Sequence, residues 1–307
     1  MKVGVIGAGG IGGFYGGVLA RGGNEVAMFA RGANLDAIRA NGIKVQTPED
    51  EFVAAVRASD NAEELSADFG EGDFAMVATK SYSLSEVAKA VKAFADRGAS
   101  ILPLQNGVEA AEILISLGVP RDRVLGGVTY ISAVHVGPGS AERRNANQRV
   151  IVGELNGGIS QRTTDIANAF ASVEVQGEAT DDITLAIWQK FVFLASIAAG
   201  CGLTRLNVGA VRDSKLGRQL LERGVNEAVE VGRARGVALR SDEEMHVMSR
   251  IDGLPPDVEP SLLLDLKAGS RTEVEVLSGA IARFGDALGI DTPIHDTAAV
   301  SLAHCSG

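Results

Sequence analysis

Cysteine is nearly absent from this chain. Cys201 and Cys305 are the only two in 307 residues. That is too few for a disulfide framework, a CxxC redox pair or a cysteine metal cluster, so no metal centre is expected. Such scarcity fits a reducing cytoplasm, the expected location. Positive charge is also in deficit. There are 29 Lys and Arg against 39 Asp and Glu, a net charge of −10, which argues against nucleic acid and anionic membranes as partners. Long hydrophobic runs are missing too. The most apolar stretch, 191–203, falls short of the roughly 20 residues that cross a bilayer and contains Ser196 and several small residues. There is no internal repeat and no low-complexity linker. A strand expected from residue 2 leaves no room for a signal peptide ahead of it.

What is present is an ordinary globular balance, 46% hydrophobic and 22% charged, at a length that suits two domains. The first dozen residues are the most informative. Lys2-Val3-Gly4-Val5-Ile6 reads as a buried strand, Gly7-Ala8-Gly9-Gly10-Ile11-Gly12 as a G-x-G-x-x-G turn, and 14–20 as a helix. Gly7 permits the tight turn, and Gly9 lets a pyrophosphate approach bare backbone. Gly12 lets helix and strand pack closely, and the helix N-terminus offers free N–H groups to the anion. The motif in this context predicts dinucleotide binding; the bland alternative is a glycine-rich turn that only packs.

Strand and helix signals then alternate. Strands are expected at 25–30, 74–79 and 100–104, helices at 34–40, 83–95 and 109–117, and a hairpin at 43–47 and 52–56. This predicts an α/β fold with a doubly wound, Rossmann-like parallel sheet. Segments 124–136 and 149–152 read as antiparallel strands finishing that sheet, and 159–173 as a helix. Beyond about residue 177 strand signals fade. Long helices are expected at 181–199, 211–235, 242–250 and 260–288, so the domains are read as 1–179, nucleotide-binding, and 180–307, all α-helical.

The end of the second strand selects the cofactor. An acid there would accept from a ribose 2′-hydroxyl, whereas this chain has Ala30-Arg31-Gly32, and an arginine pairs with a 2′-phosphate. Arg31 therefore points to NADP(H), unless it is simply a solvated surface arginine; FAD, which also wants the missing acid, is a weaker alternative. Ligands sit at the carboxyl ends of parallel strands. Lys80, after Thr79, could reach a cofactor phosphate, a ribose or a substrate carboxylate, or merely cap the sheet edge. Asn106, in Gln105-Asn106-Gly107, could hold the nicotinamide ribose or substrate, or form a plain Asn-Gly turn.

Two charges in the helical half stand among apolar residues. Lys190 lies between Trp188 and Phe191 in a segment apolar on nearly every side. Burial there would lower its pKa toward a value useful for proton donation, unless its stem snorkels to water. Glu273 shares a stripe with Leu266 and Leu277 if 260–288 is one helix. A carboxylate so placed needs an ammonium or a ligand hydroxyl, failing which it pairs with Arg271 or Lys267. Ser261 reads as an N-cap or near-cap hydroxyl at the start of that helix. A helix N-terminus there could equally hold a carboxylate.

Taken together, Gly7-x-Gly9-x-x-Gly12, Arg31, Thr79-Lys80, Asn106-Gly107, Trp188-x-Lys190 and Ser261 through Arg271-Thr272-Glu273 make the chain resemble the ketopantoate reductase (2-dehydropantoate 2-reductase) family over nearly its whole length. The resemblance implies a nucleotide-binding domain and an α-helical domain with the active site in the cleft between them. It implies NADPH-dependent reduction of 2-dehydropantoate to pantoate in pantothenate and coenzyme A biosynthesis. Lys190 would donate the proton and Glu273 orient the substrate. Ser261 and Asn106 would bind substrate, with Asn106 also near the nicotinamide, and Arg31 and Lys80 would serve NADPH. One departure stands out. Family members often carry asparagines one and two turns beyond the lysine, where this chain has Leu194 and Ala198; both are expected to line the substrate wall. The loss of those amides favours as alternatives another branched or aromatic 2-oxo acid. A catalytically silent NADP(H)-binding sensor is the third reading, against which the retention of Lys190 and Glu273 speaks. A small-molecule substrate is the expected partner, and a homodimer is left open.

Overall fold

The computed structural model describes residues 1–303; Cys305 and the last residues of the expected second domain lie outside the described residues. The chain divides into two compact units. One comprises Met1–Gln105 and Glu109–Ile183, the other Asn106–Val108 and the residues from Thr184 onward.

The first unit's strands, in chain order, are β1 (Lys2–Ile6), β2 (Glu25–Phe29), β3 (Ile43–Gln46), β4 (Glu51–Ala54), β5 (Arg57–Ser59), β6 (Phe74–Val77), β7 (Ser100–Pro103), β8 (Leu125–Tyr130), β9 (Ala133–Gly137), β10 (Ser140–Arg143), β11 (Arg149–Glu154) and β12 (Gln176–Thr180). Its helices are α1 (Gly10–Arg21), α2 (Gly32–Asn41), α3 (Ala62–Ser66), α4 (Leu84–Asp96), α5 (Ala110–Ser116) and α6 (Gln161–Ala171). The central sheet runs β5-β2-β1-β6-β7, with every pairing parallel. Its inner strands are continuous apolar runs because helices cover both faces. On one face, the ring of Phe94 from α4 lies 2.8 Å from where a Cβ on Gly4 would stand. On the other, α1 is wedged between two sheets: Met28 lies against Gly16, while Val45 and Ala141 lie against Gly17 and Gly13.

The later strands do not finish the central sheet as expected. They form a three-stranded sheet, β12-β11-β8, and a four-stranded sheet, β4-β3-β10-β9, in which the 43–54 hairpin pairs with β10. The link from β8's side to the central sheet is an isolated bridge, Ile101 to Val124. β5, α3 and β12 were not expected. The polar sequences Arg-Ala-Ser and Gln-Gly-Glu-Ala-Thr carry little strand signal, and their pairing is imposed by neighbours.

The second unit is built on α7 (Ile183–Thr204), whose first residue still belongs to the first unit. Around it stand α8 (Val208–Arg212), α9 (Lys215–Ala234), α10 (Glu243–Asp252), α11 (Ser261–Lys267), α12 (Ser278–Leu288) and α13 (Pro293–Ala303). Trp188, Phe191, Val192, Ala195 and Ala198 share one apolar cluster with Val225 and Val229 of α9, Val247 and Ile251 of α10, and Ile281 and Leu302. Small residues on α7 admit its neighbours: Leu221 lies close to Gly200, and Leu262 and Leu302 to Gly202.

Three expectations need correction here. The apolar stretch is part of a 22-residue helix, long and apolar enough by length and composition alone to cross a membrane; 61% of its most apolar window is buried within the protein. The helix expected at 211–235 is broken between α8 and α9, where Ser214 Oγ accepts from Gly217 N at 3.1 Å and caps α9. The helix expected at 260–288 does not exist as one element. α11 stops at Lys267, Gly269 takes a left-handed φ of 64°, and Ser270 N returns to Asp265 O. A short 3₁₀ turn, Val274–Val276, then precedes α12.

Candidate active site

In the first unit, Gly7 has φ of 100°, and a Cβ there would lie 2.7 Å from Thr79 Cγ2. Gly12 would drive a Cβ to 2.1 Å from Gly7 O. Gly9, the N-cap of α1, has nothing within 4 Å of its Cβ position among the described residues. The turn is thus tight where it must pack and open above Gly9, the shape that lets an anion reach backbone N–H groups. Ala8 is buried; Gly10 and Ile11 are partly exposed. Arg31 is exposed at the N-cap of α2, its guanidinium 5.3 Å above the Phe29 ring. Lys80 is half-buried at the N-cap of the 3₁₀ turn that follows β6.

Two residues beside Lys80 and Asn106, to which the sequence assigns no role of their own, stand out in the structure. Thr79 Oγ1 and Gln105 Oε1 are buried without a hydrogen-bond partner among the described residues, while Gln105 Nε2 donates to Val77 O at 3.0 Å and Thr79 O at 3.2 Å. Unpaired polar atoms at the carboxyl ends of β6 and β7 are costly unless a ligand or water completes them. The open turn, the unpaired Thr79 hydroxyl and the unpaired Gln105 carbonyl oxygen fit a dinucleotide. Nothing in the sequence distinguishes Thr79 and Gln105 beyond their adjacency to Lys80 and Asn106.

The second unit brings three expected residues together. Lys190 Nζ donates to Asn106 Oδ1 at 2.9 Å, and Asn106 Nδ2 donates to Glu273 Oε2 at 3.3 Å. The amide therefore stands between an ammonium and a carboxylate, with each end facing the group it can bond. Asn106 reaches this position because 106–108 packs with the second unit: a Cβ on Gly107, φ 94°, would lie 2.8 Å from Val276 O. Burial pulls the Lys190 ammonium down from 10.5 to about 8, and the nearby Glu273 charge opposes the shift. A lysine so placed keeps its proton near neutrality yet gives it up readily.

Glu273 is buried as expected, but not on a helical stripe; it stands at the N-cap position of the Val274–Val276 turn, which its side chain does not cap. Lys267 pairs with Glu259 instead of Glu273. Ser261 is exposed at the first residue of α11, behind the N-cap Pro260, and makes no side-chain cap. Because α7 is unbroken, Lys190, Leu194 and Ala198 do lie along one face. Leu194 is half-buried, whereas Ala198 is only 1% exposed and belongs to the core. Ser196 is also buried, donating to Val192 O at 2.8 Å.

Comparison with known proteins places the chain in a family. Residues 3–157 match the family described as ketopantoate reductase PanE/ApbA, and residues 182–304 match its C-terminal domain. A 2-dehydropantoate 2-reductase from Halobacterium salinarum is 31% identical over 310 residues, covering all of both chains. One from Mesorhizobium japonicum is 30% identical, covering 96% of this chain and 95% of the other. The crystal structure of a PanE/ApbA family ketopantoate reductase from Ralstonia eutropha superimposes with a TM-score of 0.88 at 29% identity, covering 100% of this chain and 98% of that one.

Proposed function

The chain belongs to the ketopantoate reductase family, an oxidoreductase family, and on that premise we propose that it reduces 2-dehydropantoate to pantoate with NADPH. The observation that carries the reading is the Lys190–Asn106–Glu273 constellation around a desolvated lysine. Gly7 through Gly12 would hold the pyrophosphate, Arg31 the 2′-phosphate and Lys80 a phosphate or ribose. When bound, the nicotinamide supplies a hydride for the keto carbon. Lys190 gives its Nζ proton to the oxygen as it becomes an alkoxide, and the ammonium charge stabilises that oxygen beforehand. Asn106 Oδ1 fixes the direction of Nζ. Glu273 accepts from the Asn106 amide, holding that amide in the orientation Lys190 needs, and can accept a substrate hydroxyl. Solvent then returns a proton to Lys190, so one 2-oxo acid, one hydride and one proton give one 2-hydroxy acid.

Leu194 favours a second reading, a 2-oxo acid with a plain branched or aromatic side chain. An apolar wall gains about 0.8 kcal/mol per buried methylene and offers ketopantoate's hydroxymethyl group no hydrogen bond.

Cofactor choice tests the proposal at its most exposed point. Arg31→Ala is expected to weaken NADPH by about 1.5–3 kcal/mol, the range for a charged hydrogen bond, and NADH far less. A wild type that prefers NADH, or a variant that keeps the NADPH preference, contradicts it.

A further inference from the structure

The first turn of α2 is exposed at Arg31, Gly32 and Ala33, and becomes half-buried at Asn34. The Asn34 amide is occupied at both ends. Nδ2 donates to Ala8 O at 2.9 Å, in the middle of the glycine-rich turn. Oδ1 accepts from Gly139 N at 2.7 Å, and His135 Nε2 lies 3.4 Å from the same oxygen. Gly139 and His135 belong to the β9–β10 hairpin. That hairpin also presses on both helices: a Cβ on Gly139 would stand 3.1 Å from Ala37 Cβ of α2, and one on Gly10 would stand 2.5 Å from Ala133 O. One side chain therefore ties together the phosphate-binding turn, the helix that begins at Arg31, and the hairpin flanking both.

We propose that Asn34 is a positioning residue for cofactor selection, holding Arg31 at a fixed separation from the glycine-rich turn. The proposal rests on the reading of Arg31 as the 2′-phosphate partner. NADPH then has two anion anchors on this unit, the pyrophosphate at Gly7–Gly12 and the 2′-phosphate at Arg31. Binding both at once is favourable to the extent that their spacing is set before the ligand arrives. NADH uses the first anchor alone and gains nothing from the spacing.

Direct binding titrations with NADPH and NADH test this in wild type, Asn34→Ala, Arg31→Ala and the double variant. Asn34→Ser is run alongside, since its hydroxyl is tolerated in the helix but too short to span Ala8 and Gly139. Thermal unfolding confirms that each variant is folded. Asn34→Ala and Asn34→Ser are expected to raise the NADPH Kd about five- to tenfold, because the spacing of the two anion anchors must then be ordered on binding, and the NADH Kd less than about twofold. In the Arg31→Ala background, Asn34→Ala is expected to change the NADPH Kd less than about twofold, because the two residues act as a unit. If Arg31→Ala removes the preference but Asn34→Ala weakens both cofactors alike and additively with it, the cofactor reading stands and the role of Asn34 is overturned. If Arg31→Ala leaves the preference intact, the cofactor reading fails and takes this proposal with it.

Discussion

Lys190 is held where its charge is costly, and that cost makes it useful. With its pKa near 8, the acid form predominates at neutral pH and falls away above it. Reduction requires that acid form. Turnover is therefore expected to be flat below pH 7 and to fall through a midpoint near pH 8. Glu273→Gln removes the charge that raises the lysine, so the midpoint is expected to move to lower pH. Lys190→Ala is expected to reduce kcat by about 10²–10⁴ while NADPH still binds. Steady-state kinetics over pH, with a separate binding titration, check all three; near-normal turnover in the Ala variant takes Lys190 out of the mechanism. The lysine's isolation among apolar residues is legible in the sequence, because α7 is apolar all round. Its pairing with Asn106 is not, because no local pattern reports that two residues 84 positions apart will meet.

At the scale of elements, the strand–turn–helix start is legible because every contact it needs is local. The 260–288 segment misleads because its apolar spacing continues across Gly269 and Ser270, where the backbone turns left-handed and the helix ends. Glu273 is buried all the same, bonded to the Asn106 amide and not set on a helical stripe. α13 shows another arrangement that spacing does not reveal. Its first N–H groups, of Ile294 and His295, donate to the Glu227 carboxylate of α9. His295, fully buried, contacts Gly224 O and Ser278 Oγ. Burial depresses the His295 pKa from 6.5 to about 4. Between those values the unfolded chain binds the proton and the native one does not, so stability is expected to fall as pH drops from 6.5 toward 4, by up to about 3 kcal/mol. Glu227, whose carboxyl burial raises, pulls the other way in its own range. Denaturant unfolding of wild type against His295→Gln at pH 7 and pH 4.5 isolates the histidine; equal losses in the two proteins contradict its assignment.

For the whole molecule, the family and its fold follow from sequence motifs alone, whereas the substrate depends on what one face of α7 offers. Ala198 lies in the core, so the departure from the family's asparagines reduces to Leu194. The ratio of kcat/KM for 3-methyl-2-oxobutanoate over ketopantoate is expected to fall about three- to tenfold in Leu194→Asn, the effect of one regained hydrogen bond. An unchanged ratio means that Leu194 does not meet the substrate. On the proposed function, this chain uses NADPH to reduce a 2-oxo acid. The direct measurement is NADPH consumption by the purified wild type with ketopantoate and a panel of branched and aromatic 2-oxo acids, with the product identified. One 2-hydroxy acid is expected per NADPH consumed, with pantoate formed from ketopantoate. Binding of NADPH without its consumption on any member of the panel would contradict it.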